Sequence, residues 1–216
     1  MTSSQKLENF FAQFKTLHYG KGEMILRGGD SPQGVYFIKK GYVKDYAISK
    51  EGEELTFIIF KPGDFFPMQW AMLDKENAHY FEAMGQVEAW RASRDEFVNF
   101  IKSNPDVFFE LTNQIVIRLG GILERMEYLA FGNAHERVAS ILAICAERFG
   151  EKQGRGITIK VRLTHKDIAN LLGITRETAS IELKKLERKS IIAYQRRLLI
   201  VKNKKRLEQE SLLPRV

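Results

Sequence analysis

Apolar residues recur along this chain in three rhythms. Through the first hundred residues they come in short runs rich in Val, Ile, Phe and Tyr, at residues 24–27, 35–39, 42–48, 55–60 and 87–92. The segments GGDSPQG, KKG, KEGEE and KPGD punctuate these runs. Short strands separated by Gly, Asp and Pro turns at such regular spacing predict a jelly-roll barrel rather than a parallel sheet with crossover helices. From Phe108 the rhythm changes. Phe108, Thr112, Ile115, Leu119, Ile122, Met126 and Leu129 advance by alternating steps of four and three without a proline, which is a coiled-coil seam. A second row, Phe109, Val116, Leu123 and Ala130, gives the helix another apolar face, expected to rest on the chain's own barrel. One isolated helix cannot bury both faces, so a homodimer built on paired long helices is expected; the alternative is a helix packed wholly within one chain. Gly120 and Gly121 each cost about 1 kcal/mol against alanine in mid-helix, which predicts close approach of another backbone or a joint.

The third rhythm lies in LTHKDIANLLGITRETASIELKKLERKSII, residues 163–192. Thr164 with Asp167 three positions later is a capping-box pattern, opening a helix with Ile168, Ala169 and Leu172 inward. Gly173 ends it. Thr175 caps a second helix in which Ala179, Leu183 and Leu186 face inward and Arg176, Glu177, Ser180 and Lys184 point outward. Two short amphipathic helices around a Gly turn predict a helix-turn-helix whose second helix enters the DNA major groove; a plain helical hairpin with solvated charges is the bland alternative. Upstream, residues 131–133 make a break that reads as a hinge, and Asn133 caps a helix over 134–149. A Gly-bearing loop, 150–156, and a strand, 157–163, follow. Downstream, residues 193–201 carry Gln195, Arg196 and Arg197 between apolar strands and read as a β-hairpin wing.

Charge sharpens this picture. Residues 131–216 hold 19 Lys+Arg against 9 Asp+Glu, whereas residues 1–130 hold 15 against 18. A basic half beside a slightly acidic one suits a phosphate-binding module joined to a sensing or assembly module. No apolar run is long enough to span a membrane and no amphipathic segment has a broad greasy face, so no membrane partner is expected. The N-terminus lacks an export signal, which makes cytoplasmic residence the expectation. With 44% hydrophobic and 28% charged residues the chain can bury real cores. Its one cysteine, Cys145, excludes a disulfide framework, a multi-cysteine zinc site and an all-cysteine iron–sulfur cluster within one chain, and reads as a buried structural thiol.

In order, the segment KGEMILRGGDSPQGVYFIKKGYVKDY, the closing KPGDFF, the long helix, the hinge and TRETAS opening the second helix resemble the Crp-Fnr superfamily of transcription regulators along essentially the whole chain. The resemblance implies an α+β protein: an N-terminal jelly-roll, cyclic-nucleotide-binding-like β-barrel (residues 1–106), a long dimerisation helix (107–131) and a C-terminal winged helix-turn-helix (132–216). It implies a homodimer on a palindromic operator of double-stranded DNA, with RNA polymerase as a further partner. Arg176 and Glu177 match the base-reading pair, roles that suit a bidentate arginine on guanine and a carboxylate accepting from cytosine N4. Ser180 matches a base- or backbone-contacting position. Thr164, His165, Thr175, Thr178, Lys184, Gln195 and Arg196 fall where members hold phosphates.

The chain departs from the family pattern in two places. Ile181 stands where many members have a second arginine; it either contacts a thymine methyl or is rolled into the domain core, and helical spacing leaves both open. In the sensor, the Gly-Glu and Arg-Ser pairs of cyclic-nucleotide binders are replaced by Pro67 and Met68 and by Asn77 and Ala78. Ile122 and Leu123 replace the polar contacts from the dimer helix. Without them the ribose and phosphate of cAMP or cGMP would be desolvated without partners, so a different signal, or none, is expected. Phe65, Phe66, Met68, Trp70, Met72, His79, Tyr80, Phe81 and Trp90 form an aromatic and thioether-rich set. It is either plain core or the lining of an effector site, with Phe66, Met68, Trp70, His79, Tyr80, Ile122, Leu123 and Met126 as candidate lining residues. Haem with His79 or Met68 as axial ligand is a further alternative. A metalloenzyme on a cupin-like barrel would need clustered histidines, whereas His18, His79, His135 and His165 are scattered. No catalytic constellation is visible.

Overall fold

A computed structural model describes residues 1–154 and 156–212. The chain divides into two compact units, Met1–Gly52 with Phe57–Arg118, and Glu53–Thr56 with the chain from Leu119 onward. Arg155, within the expected loop, and residues 213–216 of the expected C-terminal domain lie outside the described residues.

The N-terminal barrel is two four-stranded sheets. One has the order β1 (Thr16–Tyr19), β8 (Val87–Ala92), β3 (Val35–Lys40), β6 (Phe65–Phe66); the other has β2 (Met24–Leu26), β7 (Tyr80–Ala83), β4 (Val43–Ile48), β5 (Glu54–Phe60). Strand β3 explains the layering. Its first four residues, VYFI, are all buried, as an unbroken apolar run buried on both faces should be. Val35 and Phe37 enter a cluster with Leu7, Phe11, Trp90, Phe97, Val107 and Leu111. Through it, α1 (Ser3–Ala12), α3 (Arg94–Ser103) and the start of α4 (Pro105–Phe131) pack on the sheet. Tyr36 and Ile38 enter a second cluster with Val43, Phe60, Phe66, Phe81 and Ala83, the barrel interior. The reversal between β3 and β4 needs glycine: Gly41 has φ of 91°, and a Cβ there would collide with the Gln86 carbonyl. Strands β1, β6 and β7, the capped helices α1 and α3, and the short helix α2 (Met68–Leu73) lie outside the five runs picked out by the apolar pattern.

Helix α4 is 27 residues long. Of the row expected to rest on the barrel, Phe109 and Val116 do not do so, at 67% and 62% exposed, and Leu123, in the second unit, is 59% exposed. The inward row of its first half is Val107, Leu111 and then Arg118, whose guanidinium lies 2.6 Å from the Asp64 carboxylate. Apolar periodicity assigns an arginine to water; an acidic partner on the sheet reverses that assignment.

In the second unit α5 (Ala134–Phe149) begins at Asn133, whose side chain accepts from the Glu136 N–H while Glu136 bonds back to the Asn133 N–H. Gly132, between α4 and α5, is buried, and a Cβ there would sit 2.5 Å from the Tyr128 carbonyl oxygen, so this joint is packed tightly. The segment expected as a loop is a strand. β9 (Gly150–Gln153) pairs antiparallel with β10 (Gly156–Ile159) in a sheet ordered β11 (Ile192–Gln195), β12 (Leu198–Val201), β10, β9. β9 is exposed throughout and shows no apolar alternation, so only its backbone pairing reveals it. β10 ends at Ile159 rather than continuing to residue 163.

Cys145 is buried in α5, and burial pushes its thiol up to about 12. The thiolate is the reactive form. In the native protein Cys145 is therefore expected to resist a disulfide reagent for hours and to react stoichiometrically once guanidinium unfolds the chain. Native reaction at the rate of a small-molecule thiol would contradict this burial.

Candidate nucleic-acid interface

Helix α6 (His165–Leu172) starts as its sequence requires. Thr164 Oγ1 accepts from the Asp167 N–H at 3.2 Å, and the Asp167 carboxylate accepts from the Thr164 N–H at 2.7 Å. Gly173 closes the helix in the left-handed region at φ 61°. Helix α7 (Arg176–Arg188) starts at Thr175, which accepts from the Thr178 N–H at 3.1 Å. The two hydroxyls, Thr175 Oγ1 and Thr178 Oγ1, lie 2.8 Å apart. Along α7, Ala179, Glu182, Leu183 and Leu186 are buried, while Arg176, Glu177, Ile181 and Lys184 are exposed. Among the described residues the side chains of Arg176, Glu177 and Lys184 have no hydrogen-bond partner, so the first turn of α7 presents an unpaired guanidinium and an unpaired carboxylate side by side. Ile181 is 55% exposed and thus not rolled into the core.

Glu182 takes the inward position instead, and the reason is a charge network that the apolar pattern does not reveal. His135 Nδ1 lies 2.8 Å from Glu182, His135 Nε2 lies 2.8 Å from Glu210, and Lys185 and Lys189 bond these two carboxylates. Burial pushes the Glu182 carboxyl upward, but hydrogen bonds from Lys185 and His135 outweigh it and hold it below the usual range. Lys189, with help from His135, holds Glu210 low against burial. The network ties α7 to the first turn of α5 and to the end of α8 (Lys204–Gln209). The signal was present in the spacing, since residue 182 falls on the same stripe as Ala179, Leu183 and Leu186.

Ser180 is half-buried and its hydroxyl is engaged within the protein: it lies 2.8 Å from the Arg176 carbonyl oxygen and 2.7 Å from His165 Nδ1. Strands β11 and β12 form the wing. Gln195 pairs with Leu198, so Arg196 and Arg197 alone make the turn, at φ of 48° and 66°. Two-residue hairpin turns of this hand favour Asn-Gly. Two arginines in the left-handed region cost on the order of 1 kcal/mol each, and they set two exposed guanidinium groups at the wing tip.

Residues 136–210 match the family model of the Crp-like helix-turn-helix domain, and residues 16–104 match that of the cyclic nucleotide-binding domain. The chain is 26% identical over 210 residues to the global nitrogen regulator of Nostoc sp., covering 93% of this chain and 94% of that protein. It is also 26% identical over 200 residues to the cAMP-activated global transcriptional regulator CRP of Salmonella typhimurium, covering 90% and 93%. The structure of FixK2 from Bradyrhizobium japonicum shares the fold with a TM-score of 0.79 at 23% identity, over 94% of this chain and 99% of that one. The chain belongs to the Crp-Fnr superfamily. It is a DNA-binding transcription regulator of that type, with the expected barrel, long helix and C-terminal helix-turn-helix. No helix among its described residues is long and apolar enough to cross a membrane.

Within the barrel unit of this Crp-Fnr regulator the candidate effector residues Phe66, Met68, Trp70, His79 and Tyr80 fall into different surroundings. Phe66 stands inside the barrel, stacked on Tyr36 at 5.3 Å and on Phe81 at 4.8 Å, with Phe60 at 5.5 Å. Met68 and Trp70 pack on the outer cluster with Met72, and the Trp70 carbonyl accepts from Arg94. His79 Nδ1 lies 2.9 Å from Asp45, a contact that raises the His79 pKa against burial, and its ring stacks on Phe57. Tyr80 stacks on Tyr46. Ile122, Leu123 and Met126 are exposed on α4. Pro67, Met68, Asn77 and Ala78 stand where the resemblance places the polar and charged partners of a cyclic nucleotide. Asn77, at the position of the family's arginine, is 7% exposed and donates its amide to the Arg27 and His79 carbonyl oxygens, so this residue offers no charge to a phosphate.

Proposed function

We propose that this regulator works as a homodimer that reads an inverted-repeat operator, with Arg176 and Glu177 recognising base edges in the major groove. The observation that carries this reading is the pair itself, unpaired and exposed at the start of a well-capped helix. An arginine and a glutamate aimed outward from one helix turn offer the donor and acceptor that guanine and cytosine require. Thr164, His165, Thr175, Thr178, Lys184, Gln195 and Arg196 would position the module on the backbone, with Ser180 steadying the helix from within.

The second copy is the occupant that suits α4. Phe108, Ile115, Leu119, Ile122 and Met126 are 43–61% exposed on one helix, a row of large apolar side chains that a second copy would cover. Open space surrounds Gly120 and Gly121, so their lack of a side chain serves nothing inside the chain and suits the close approach of another helix. Pairing through α4 would hold two α7 helices about 34 Å apart, one duplex repeat.

The barrel would respond to something other than a cyclic nucleotide, and its aromatic filling favours a second reading in which the protein is permanently competent to bind DNA. His79 engaged by Asp45 and Met68 in the outer cluster lend no support to haem ligation. RNA polymerase in the cytoplasm is the expected partner once the operator is occupied.

Selection of bound sequences from a random duplex pool, with sedimentation of the free protein, tests the core of this reading. A palindromic motif bound by a dimer is expected, with affinity falling steeply with salt as counterions return. A monomer that enriches no motif at moderate ionic strength would defeat it. Repeating the selection with Ile181→Arg is expected to shift one base pair of each half-site from T·A toward G·C, since the methyl contact is exchanged for a bidentate donor. Identical motifs would remove Ile181 from base recognition.

A further inference from the structure

His165 stands in the first turn of α6 against the recognition helix, with its ring centroid 6.0 Å from that of Tyr194 in the wing. A carbonyl oxygen can only accept, so the Ser180 hydroxyl proton goes to the Arg176 carbonyl and His165 Nδ1 must donate to Ser180 Oγ. That assigns the tautomer. Nε2 is then the ring nitrogen without a partner among the described residues.

The charges around the ring come from three directions. Helix α7 supplies Arg176, Lys184 and the opposing Glu187. On its own helix, Asp167 is bonded to the Thr164 amide and hydroxyl, and Lys166 is exposed. From β11 comes the Tyr194 phenol, which burial pushes up to about 12 and which therefore stays neutral. Burial, then Arg176, then Lys184 lower the His165 pKa. The same cations attract a polyanion. A phosphate oxygen arriving at neutral Nε2 would meet a lone pair, whereas at Nε2–H it finds a donor and cancels the repulsion that had disfavoured the charge.

We propose that His165 is a proton-gated backbone contact, holding a duplex phosphate through Nε2–H only as the imidazolium, so that operator binding takes up protons and tightens as the pH falls. The proposal rests on the reading that this winged helix binds duplex DNA. The Nδ1–H bond to Ser180 is kept in both protonation states, so the gate requires no backbone movement. In the free protein the group is depressed below its usual range and in the complex the phosphate raises it. The affinity gain therefore develops as pH falls through the interval between the two values and levels off below the lower one.

Fluorescence anisotropy on the selected operator, with salt titrations at about pH 8 and about pH 5.5 either side of the ordinary imidazole range, tests this for the wild type, His165→Gln and His165→Arg. The wild type is expected to bind on the order of 10- to 100-fold more tightly at the lower pH, two histidines acting per dimer. Its salt slope should steepen by about 1.8 between the two conditions, the signature of two further neutralised phosphates. His165→Gln should lose both responses, and His165→Arg should show the steep slope already at the higher pH. A His165→Gln dimer that keeps the wild-type pH response, or a wild-type slope that is the same at both pH values, overturns the gate while leaving DNA binding intact. A protein that prefers no duplex over random competitor at either pH would instead sink the reading beneath it.

Discussion

Arg176→Ala is expected to cut sharply the discrimination between operator and random duplex while leaving the protein folded and dimeric. Each half-site loses one bidentate donor, about 1–3 kcal/mol, so the palindrome loses twice that and binding weakens roughly 30-fold to 10⁴-fold. Affinity for random DNA should change far less, since only one positive charge per subunit is gone. Arg176 is exposed and its side chain has no hydrogen-bond or ion-pair partner among the described residues, so the melting temperature should move by no more than a surface substitution usually moves it. Competition anisotropy with operator and scrambled duplexes reads the result. Unchanged discrimination would remove Arg176 from base recognition and, with it, the assignment of α7 as the reading helix.

Placing aspartate at both Leu119 and Met126 is expected to have an effect at least as large by another route. These side chains are 54% and 61% exposed in the single chain, so charge there costs the isolated subunit little. In a paired α4 seam the same change would bury four carboxylates near one another and remove four apolar side chains, each contributing about 1.5–3 kcal/mol when covered. Sedimentation should show a folded monomer. Operator affinity should fall by about three orders of magnitude or more, because a lone subunit holds one half-site without the second contact to share its entropy cost. A dimer that survives the double substitution would mean that α4 does not form the interface, and the exposed apolar row would then need another partner.

Both predictions rely on features visible in the chain itself, and their legibility has a common physical origin. The capping boxes at Asn133 with Glu136 and Thr164 with Asp167, the left-handed Gly173 and the Thr175 cap are interactions between residues four or fewer positions apart, so spacing alone identifies them. The same holds for the inward stripe of Ala179, Leu183 and Leu186 and for the hairpin of the wing. The outward placement of Arg176, Glu177 and Lys184 follows from that stripe, so most of the candidate interface could be named residue by residue.

What escaped the sequence involves partners far apart along it. Arg118 faces inward because Asp64 meets it, and Glu182 displaces Ile181 from the core because His135 and Lys185 neutralise it. β9 exists through backbone bonds to β10 and carries no side-chain signature. His165 acquires a defined tautomer from Ser180, fifteen residues later. By itself, then, the sequence determined the three-part architecture and the helix-turn-helix, because caps, turns and apolar periodicity are local and each element is selected by its own residues. Only the tertiary structure decided which charges turn inward, how the barrel interior is filled by stacked rings and which histidine nitrogen faces outward, because the burial of a polar group is fixed by a partner that the chain delivers from elsewhere.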